Sequence, residues 1–215
     1  MPQYLYAQLS DLNDRIDVTD TLRENAWRAV LESASRWVDD ITGHRFYASS
    51  DIDSENPTET RYYAMQGDPL TLEIDDFLSL TEIVTDANGD GTYEYTWTVT
   101  TDYRLGPVNA PAKGRPYTTI HRATHAGRYW FPGYPNSVKV TGNFGYCTLA
   151  ALPPQITTLT LMVAEQMGRS MLDLNLPGIN SYQVGPDLRV VMGKDELPLM
   201  ARKIIDLYRV PVFVV

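Results

Sequence analysis

Ser137-Val138-Lys139-Val140-Thr141-Gly142-Asn143-Phe144-Gly145-Tyr146 reads as the last strand of a β-rich stretch, and Pro153-Pro154, soon after it, suits the start of a helix. The chain changes texture at this seam. Upstream, from Phe46 to Cys147, Tyr, Thr, Val and Trp are frequent, and Gly and Pro break the runs. Strands are predicted there near Thr60–Ala64, Leu70–Ile74, Leu80–Asp86, Thr92–Val99 and Tyr117–Arg122, with loops over Tyr103–Pro116 and Gly127–Pro135. Downstream, Ile156, Leu159, Val163, Gln166 and Met167 mark one helical face. Leu161, Met162 and Leu172 widen that face, and Asn175-Leu176-Pro177-Gly178 closes the helix.

Further out, Tyr182–Val191 reads as a hairpin turning at Gly185-Pro186-Asp187, and Pro198 opens a last helix running to Tyr208. Toward the other end, a short helix is predicted over Ser10–Ile16 with Ser10 as N-cap. A longer one spans Thr21–Thr42. There Thr21 and Glu24 have capping-box spacing, and Gly43 supplies a left-handed stop. Its apolar face is read as Leu22, Ala26, Ala29, Val30, Ser33, Trp37, Val38 and Ile41, with Trp27 off the stripe. The fold class that follows is α+β. A helical body is drawn from residues 1–45 and 148–215, and a β-rich insertion from residues 46–147.

Composition narrows the function. The chain of 215 residues is 43% hydrophobic and 21% charged, an ordinary globular balance. No apolar run reaches bilayer length, so no membrane partner is expected. Met1–Arg15 lacks a basic start followed by an apolar block, so no secretory signal is expected. One cysteine, Cys147, rules out an intrachain disulfide and a cysteine-built zinc site. The net charge of −9 argues against a protein that grips nucleic-acid phosphates over its whole surface. That charge is uneven. Residues 1–99 carry 20 acidic and 6 basic side chains, a net of −14, and residues 100–215 carry 7 and 12, a net of +5. A head-to-tail contact between identical subunits joins two different surfaces and can use such asymmetry; a solvated acidic face is the plainer reading. Arg115, Arg122 and Arg128 are candidate subunit contacts. They lie in a basic stretch with Arg104, Lys113, His121 and His125, interleaved with Tyr103, Tyr117, Tyr129, Trp130 and Phe131. Such mixing suits single-stranded nucleic acid or an acidic protein surface.

Chemistry-bearing motifs are sparse. Asp86-Ala87-Asn88-Gly89-Asp90-Gly91 places oxygens of Asp86, Asn88 and Asp90 at alternate positions, as a calcium loop does, but Trp97 stands where the closing glutamate would be needed. A hairpin turn is the competing reading. His121 and His125 are four apart in a segment read as strand, which removes the helical meaning of that spacing. No phosphate-cradling glycine loop and no nucleophile elbow is found. The expectation is a protein that is not an enzyme and uses no cofactor. The chain ends in Val210-Pro211-Val212-Phe213-Val214-Val215, almost wholly apolar and β-prone. Such a tail folds back onto its own core or docks into a neighbour, and docking is the preferred reading.

Three passages together resemble the head–tail connector, or adaptor, proteins of long-tailed bacteriophages. Tyr4–Ile16 (YLYAQLSDLNDRI) resembles their opening strand-plus-helix signature. Ala34–Tyr47 (ASRWVDDITGHRFY) resembles their first long helix with its Thr-Gly-x-x-Phe ending. Val138–Tyr146 (VKVTGNFGY), followed by proline and a long helix, resembles their Val-Thr-Gly-x-Trp-Gly passage, with Phe144 in place of tryptophan. The resemblance implies a ring, usually of twelve copies, made in the host cytoplasm and seated in the virion neck beneath the portal protein. The ring extends the channel through which genome DNA passes without specific binding, and offers a platform to the stopper or tail proteins. Residues 210–215 would be its portal-docking tether. A stopper or tail-completion protein of the same neck is the alternative, and a calcium-dependent binding or hydrolytic domain is the reading from another class.

Overall fold

The computed structural model describes residues 4–16, 24–124, 131–172 and 197–210. The predicted hairpin at 182–191, residues 211–215, Arg128, His125 and Thr21 lie outside them. The chain combines helices with an antiparallel sheet, an α+β fold. It divides into two units, residues 1–44 with 152–215, and residues 45–151.

In the first unit, α1 (Leu9–Ile16) and α2 (Glu24–Thr42) precede α4 (Pro154–Leu172) and α5 (Leu199–Tyr208) in the chain. α2 packs along α4, and α1 and α5 touch both. α1 starts one residue before Ser10, and the Leu12 amide bonds back to the Gln8 carbonyl, so Ser10 lies inside the helix and is not its cap. The buried face of α2 is Trp27, Val30, Leu31, Ala34, Ser35, Val38 and Thr42. This face is rotated from the predicted one. Ala26 and Ala29 are exposed, because burying the larger Trp27 and Leu31 removes more apolar area from water. Trp27 lies against Gly168 of α4, where a Cβ would come within 2.1 Å of the indole. The segment before α1 is clamped onto α2. The Tyr6 amide donates to Ser35 Oγ (3.1 Å), the Tyr6 hydroxyl to Asp39 (2.6 Å), and Arg36 to the Tyr4 carbonyl (2.9 Å).

The second unit begins with a single-turn helix α3 (Ser49–Ile52) and holds strands β1 (Glu59–Tyr63), β2 (Thr71–Thr85), β3 (Tyr95–Thr96), β4 (Tyr103–Gly106), β5 (Tyr117–Arg122) and β6 (Val138–Phe144). The sheet order is β1-β6-β2-β5-β4, with β3 paired to the end of β2. Three predictions are corrected here. The two strands read over Leu70–Ile74 and Leu80–Asp86 are one fifteen-residue strand, β2, whose register shifts between Glu73 and Phe77 carry Asp75-Asp76 through its middle. The strand read over Thr92–Val99 is only Tyr95–Thr96. The segment read as a loop from Tyr103 begins with β4, paired to β5. The two halves of β2 have different partners: Thr71–Phe77 pairs with β5, and Phe77–Thr85 with β6.

β6 alternates buried and half-buried positions, the period-two signature of a strand with one face on a core. That core contains Leu72, Phe77, Ile83, Trp97, Ile120, Phe131, Val138, Val140 and Phe144. Trp97 and Phe131 stack with centroids 4.5 Å apart, and the indole N–H donates to Thr85 Oγ1 (3.0 Å). No helix among the described residues is long and apolar enough to cross a membrane.

Candidate functional site

Two of the quoted passages meet in the second unit, through Arg45–Tyr47 and Thr141–Tyr146. Arg45 donates to the Phe144 carbonyl (2.7 Å) and to Glu59 (3.1 Å). Ser49 Oγ accepts from the Phe144 amide, and Asn143 exchanges hydrogen bonds with Ser50. The Tyr146 amide donates to the Arg45 carbonyl, and the Cys147 thiol to the Phe46 carbonyl. Both glycines of the second passage are required sterically. A Cβ on Gly142 would lie 2.5 Å from the Ser79 carbonyl oxygen. On Gly145, at φ +136°, it would lie 2.3 Å from that of Tyr47. The motif is thus a packing joint. Beside it Arg61 bridges Glu59 and Asp75 while its guanidinium lies 4.3 Å from the Phe144 ring centroid. Burial opposes ionisation of Glu59, but hydrogen bonding and charge from Arg45, with help from Arg61, outweigh it and hold the carboxyl below its ordinary range. Burial, with the Asp51 and Asp76 charges, pushes the Cys147 thiol up to about 12.

The root of the terminal segment lies in the first unit. Gly43, at φ +75°, ends α2 with its amide on the Asp39 carbonyl. The Val210 amide then donates to the Thr42 carbonyl (2.9 Å), and Val210 rests against Gly43 while staying 41% exposed. α5 buries Ala201, Ile204 and Ile205 and leaves Leu199, Met200 and Leu207 exposed. Met200 and Leu207 are seven apart and share a face. Of the predicted docking residues, Val210 is placed; Pro211, Val212, Phe213, Val214 and Val215 fall outside the described residues. Of the predicted subunit contacts, Arg115 is exposed on the β4–β5 loop and Arg122 is half-buried at the end of β5, its amide on the Leu70 carbonyl.

The Asp86–Asp90 loop joins β2 to β3. Asp86 is buried and accepts backbone amides of Asn88, Gly89 and Gly91. Asp90 accepts the Thr92 amide (2.7 Å) and the Asn88 side-chain amide. Those bonds, the Thr92 amide first, hold its carboxyl below the ordinary range. Glu94, which the sequence reading passed over, brings a carboxylate oxygen within 4.8 Å of those of Asp86 and Asp90. Its signal was a four-residue spacing, 86, 90 and 94, which is not that of a calcium loop. The Asn88 side-chain amide donates to Asp90, and Trp97 is in the core. The hydrogen bonds of the loop's own amides order it as a hairpin connection.

No family model matches the chain, and no curated protein matches it. Solved structures do. The chain is similar to one from the neck of an empty GTA particle computed with C6 symmetry (TM-score 0.55, 14% identity, 95% of this chain and 90% of that one). It is similar to one from the virion of a native gene transfer agent particle (0.54, 18%, 95% and 90%). A third is from the neck of a native GTA particle computed with C12 symmetry (0.55, 15%, 96% and 90%). At these identities the likeness establishes a shared fold.

Proposed function

We propose that the chain is a structural, non-catalytic protein of a virion neck: a head–tail connector that assembles as a ring beneath the portal, extends the DNA channel and presents a platform to the stopper or tail. The observation that carries this reading is the likeness over 95% of the chain to a chain from a particle neck. The sixfold and twelvefold symmetries named for those necks suit a ring, and a ring of twelve is the proposed assembly. The net charge of −9 suits a channel that passes DNA without gripping it. The exposed apolar face of α5, continuous in sequence with the apolar tail, suits attachment to another ring.

Purified chain is mixed with isolated portal rings and imaged by cryo-electron microscopy. Direct seating on the portal supports the connector. Seating only on a portal that already carries another neck ring makes the chain a stopper or tail-completion protein. Failure on both, with no density for the chain in particle necks, overturns the neck reading.

A further inference from the structure

We propose that the basic tip of the β4–β5 loop of one copy docks against the tyrosine-rich, acidic β2–β3 hairpin of a second copy, in a head-to-tail contact that repeats around a ring. The proposal rests on the ring reading above and names the surfaces that build it.

The tip is a preformed knob. The Ala110 amide donates to the Pro107 carbonyl, those of Lys113 and Arg115 both to the Ala110 carbonyl, and that of Gly114 to the Pro111 carbonyl. Ala110 is buried as the anchor, and Gly114 takes φ +62° to turn the chain. Lys113 and Arg115 are exposed on this turn and form no ion pair among the described residues. A backbone bonded to itself in this way fixes where both side chains leave the turn, so only their own rotamers remain to be ordered on docking.

The receiving surface is preformed as well. Tyr62 of β1 is 53% exposed, and its ring centroid lies 6.5 Å from that of Tyr93. Tyr93 is held by a hydrogen bond from its hydroxyl to the Asn136 carbonyl (2.8 Å). Tyr134, 50% exposed, lies over the bare Cα of Gly89. Asp90 and Glu94 are exposed on the same hairpin; Asp90 accepts the Thr92 amide and the Asn88 side-chain amide, Glu94 accepts the Ala87 amide, and each keeps acceptor capacity. Lys139, its ammonium 3.7 Å from Glu82 and 6.0 Å from the Tyr93 ring centroid, already serves that ring, so the exposed rings left for an incoming cation are Tyr62 and Tyr134. Exposed tyrosine rings on a surface that also carries carboxylate oxygens with spare acceptor capacity are the surroundings that a guanidinium or ammonium prefers. The knob supplies one of each. The two surfaces differ, so the contact is heterologous and closes into a ring when the rotation permits. A second copy is the occupant chosen because this chain itself carries both complementary surfaces.

The test is sedimentation velocity of the full chain at low salt over a concentration series. One variant carries Lys113→Glu and Arg115→Glu, another Asp90→Lys and Glu94→Lys. Each variant alone should associate at least tenfold more weakly than wild type, because each then presents like charge on both surfaces. An equimolar mixture should recover association, since the acidic knob of one fits the basic hairpin of the other. The neutral pairs K113Q/R115Q and D90N/E94Q, each expected to weaken association several-fold, serve if a reversed variant fails to fold. Wild-type association that the variants retain, or that the mixture fails to restore, overturns this contact and leaves the neck reading intact. A wild-type chain that stays monomeric at every concentration overturns it too. The neck reading itself falls only if particle necks lack the chain.

Discussion

Arg45 donates a 2.7 Å hydrogen bond from its guanidinium to the carbonyl oxygen of Phe144, 99 residues further along the chain. The bond ties the start of the second unit to the end of its β6 strand, which lies between β1 and β2. The two passages that read as separate motifs are therefore halves of one joint, and their glycines and aromatics serve its packing.

Gly145→Ala should destabilise the second unit by roughly 2–3 kcal/mol, through a clash with the Tyr47 carbonyl and an unfavourable φ. Gly91→Ala, at φ +88° with open space around it, should cost only about 1 kcal/mol. Urea unfolding of both variants checks the order. Equal losses would show that the backbone conformation, not the clash, decides.

Gly168→Ala pushes a methyl into the Trp27 indole and should cost roughly 1–3 kcal/mol. Trp27→Phe removes the ring atoms it strikes, and also a buried indole N–H that has no partner among the described residues. The double variant should lose less than the sum of the two single losses, a coupling that a thermodynamic cycle measures.

Glu59 is held ionised to lower pH in the folded chain than in the unfolded one. Its stabilising contribution is therefore complete above the ordinary glutamate pKa of about 4.3 and fades as pH falls below that toward the folded value. Glu59→Gln should flatten the acid limb of stability against pH in that window while leaving the limb above about pH 6 parallel to wild type. Identical acid limbs would sink the assignment.

Cys147 is buried, with its thiol on the Phe46 carbonyl and its pKa pushed up to about 12. At about pH 8 the folded chain should react negligibly with a thiol reagent and stoichiometrically once unfolded in guanidinium. Rapid labelling of the folded chain would contradict this burial.

Deleting Val212–Val215 leaves the Val210–Thr42 bond in place, so the thermal midpoint should not move. Portal binding should fall sharply, because each large apolar side chain lost is worth about 1.5–3 kcal/mol of burial before entropy. Native binding by the shortened chain refutes the tether, and an unfolded monomer would mean the tail docks on its own core.

Helix ends marked by Pro154 and Gly43 were the most legible feature of the fold. Pro154 opens α4 and Gly43 follows the end of α2, because proline and glycine act through the backbone alone. The face of α2 was less legible, since periodicity allowed either Ala26 and Ala29 or Trp27 and Leu31, and only packing against α4 selects the bulkier set. β2 was split in two because the paired carboxylates Asp75-Asp76 interrupt its apolar residues. In the folded chain Asp75 instead serves Arg61 and the Tyr63 hydroxyl from within the irregular strand. β4 was hidden by the glycines and prolines that follow it. Of the candidate site, the Asp86 hairpin was visible, but Glu94 was not, since its approach depends on how the loop closes. The exposed face of α5 depends on which way that helix turns, and periodicity in a short helix is shared by both faces.

β2 is gripped on one side over its first half by β5 and on the other side over its second half by β6. In mechanical terms this is a lap joint, two half-sheets spliced through a single strand. Tension along β2 meets hydrogen bonds lying across the direction of pull, so they are loaded together in shear and do not open in succession like a zip. An axial load on β2 is therefore shared by two ladders and handed from β5 to β6 across the irregular stretch around Phe77.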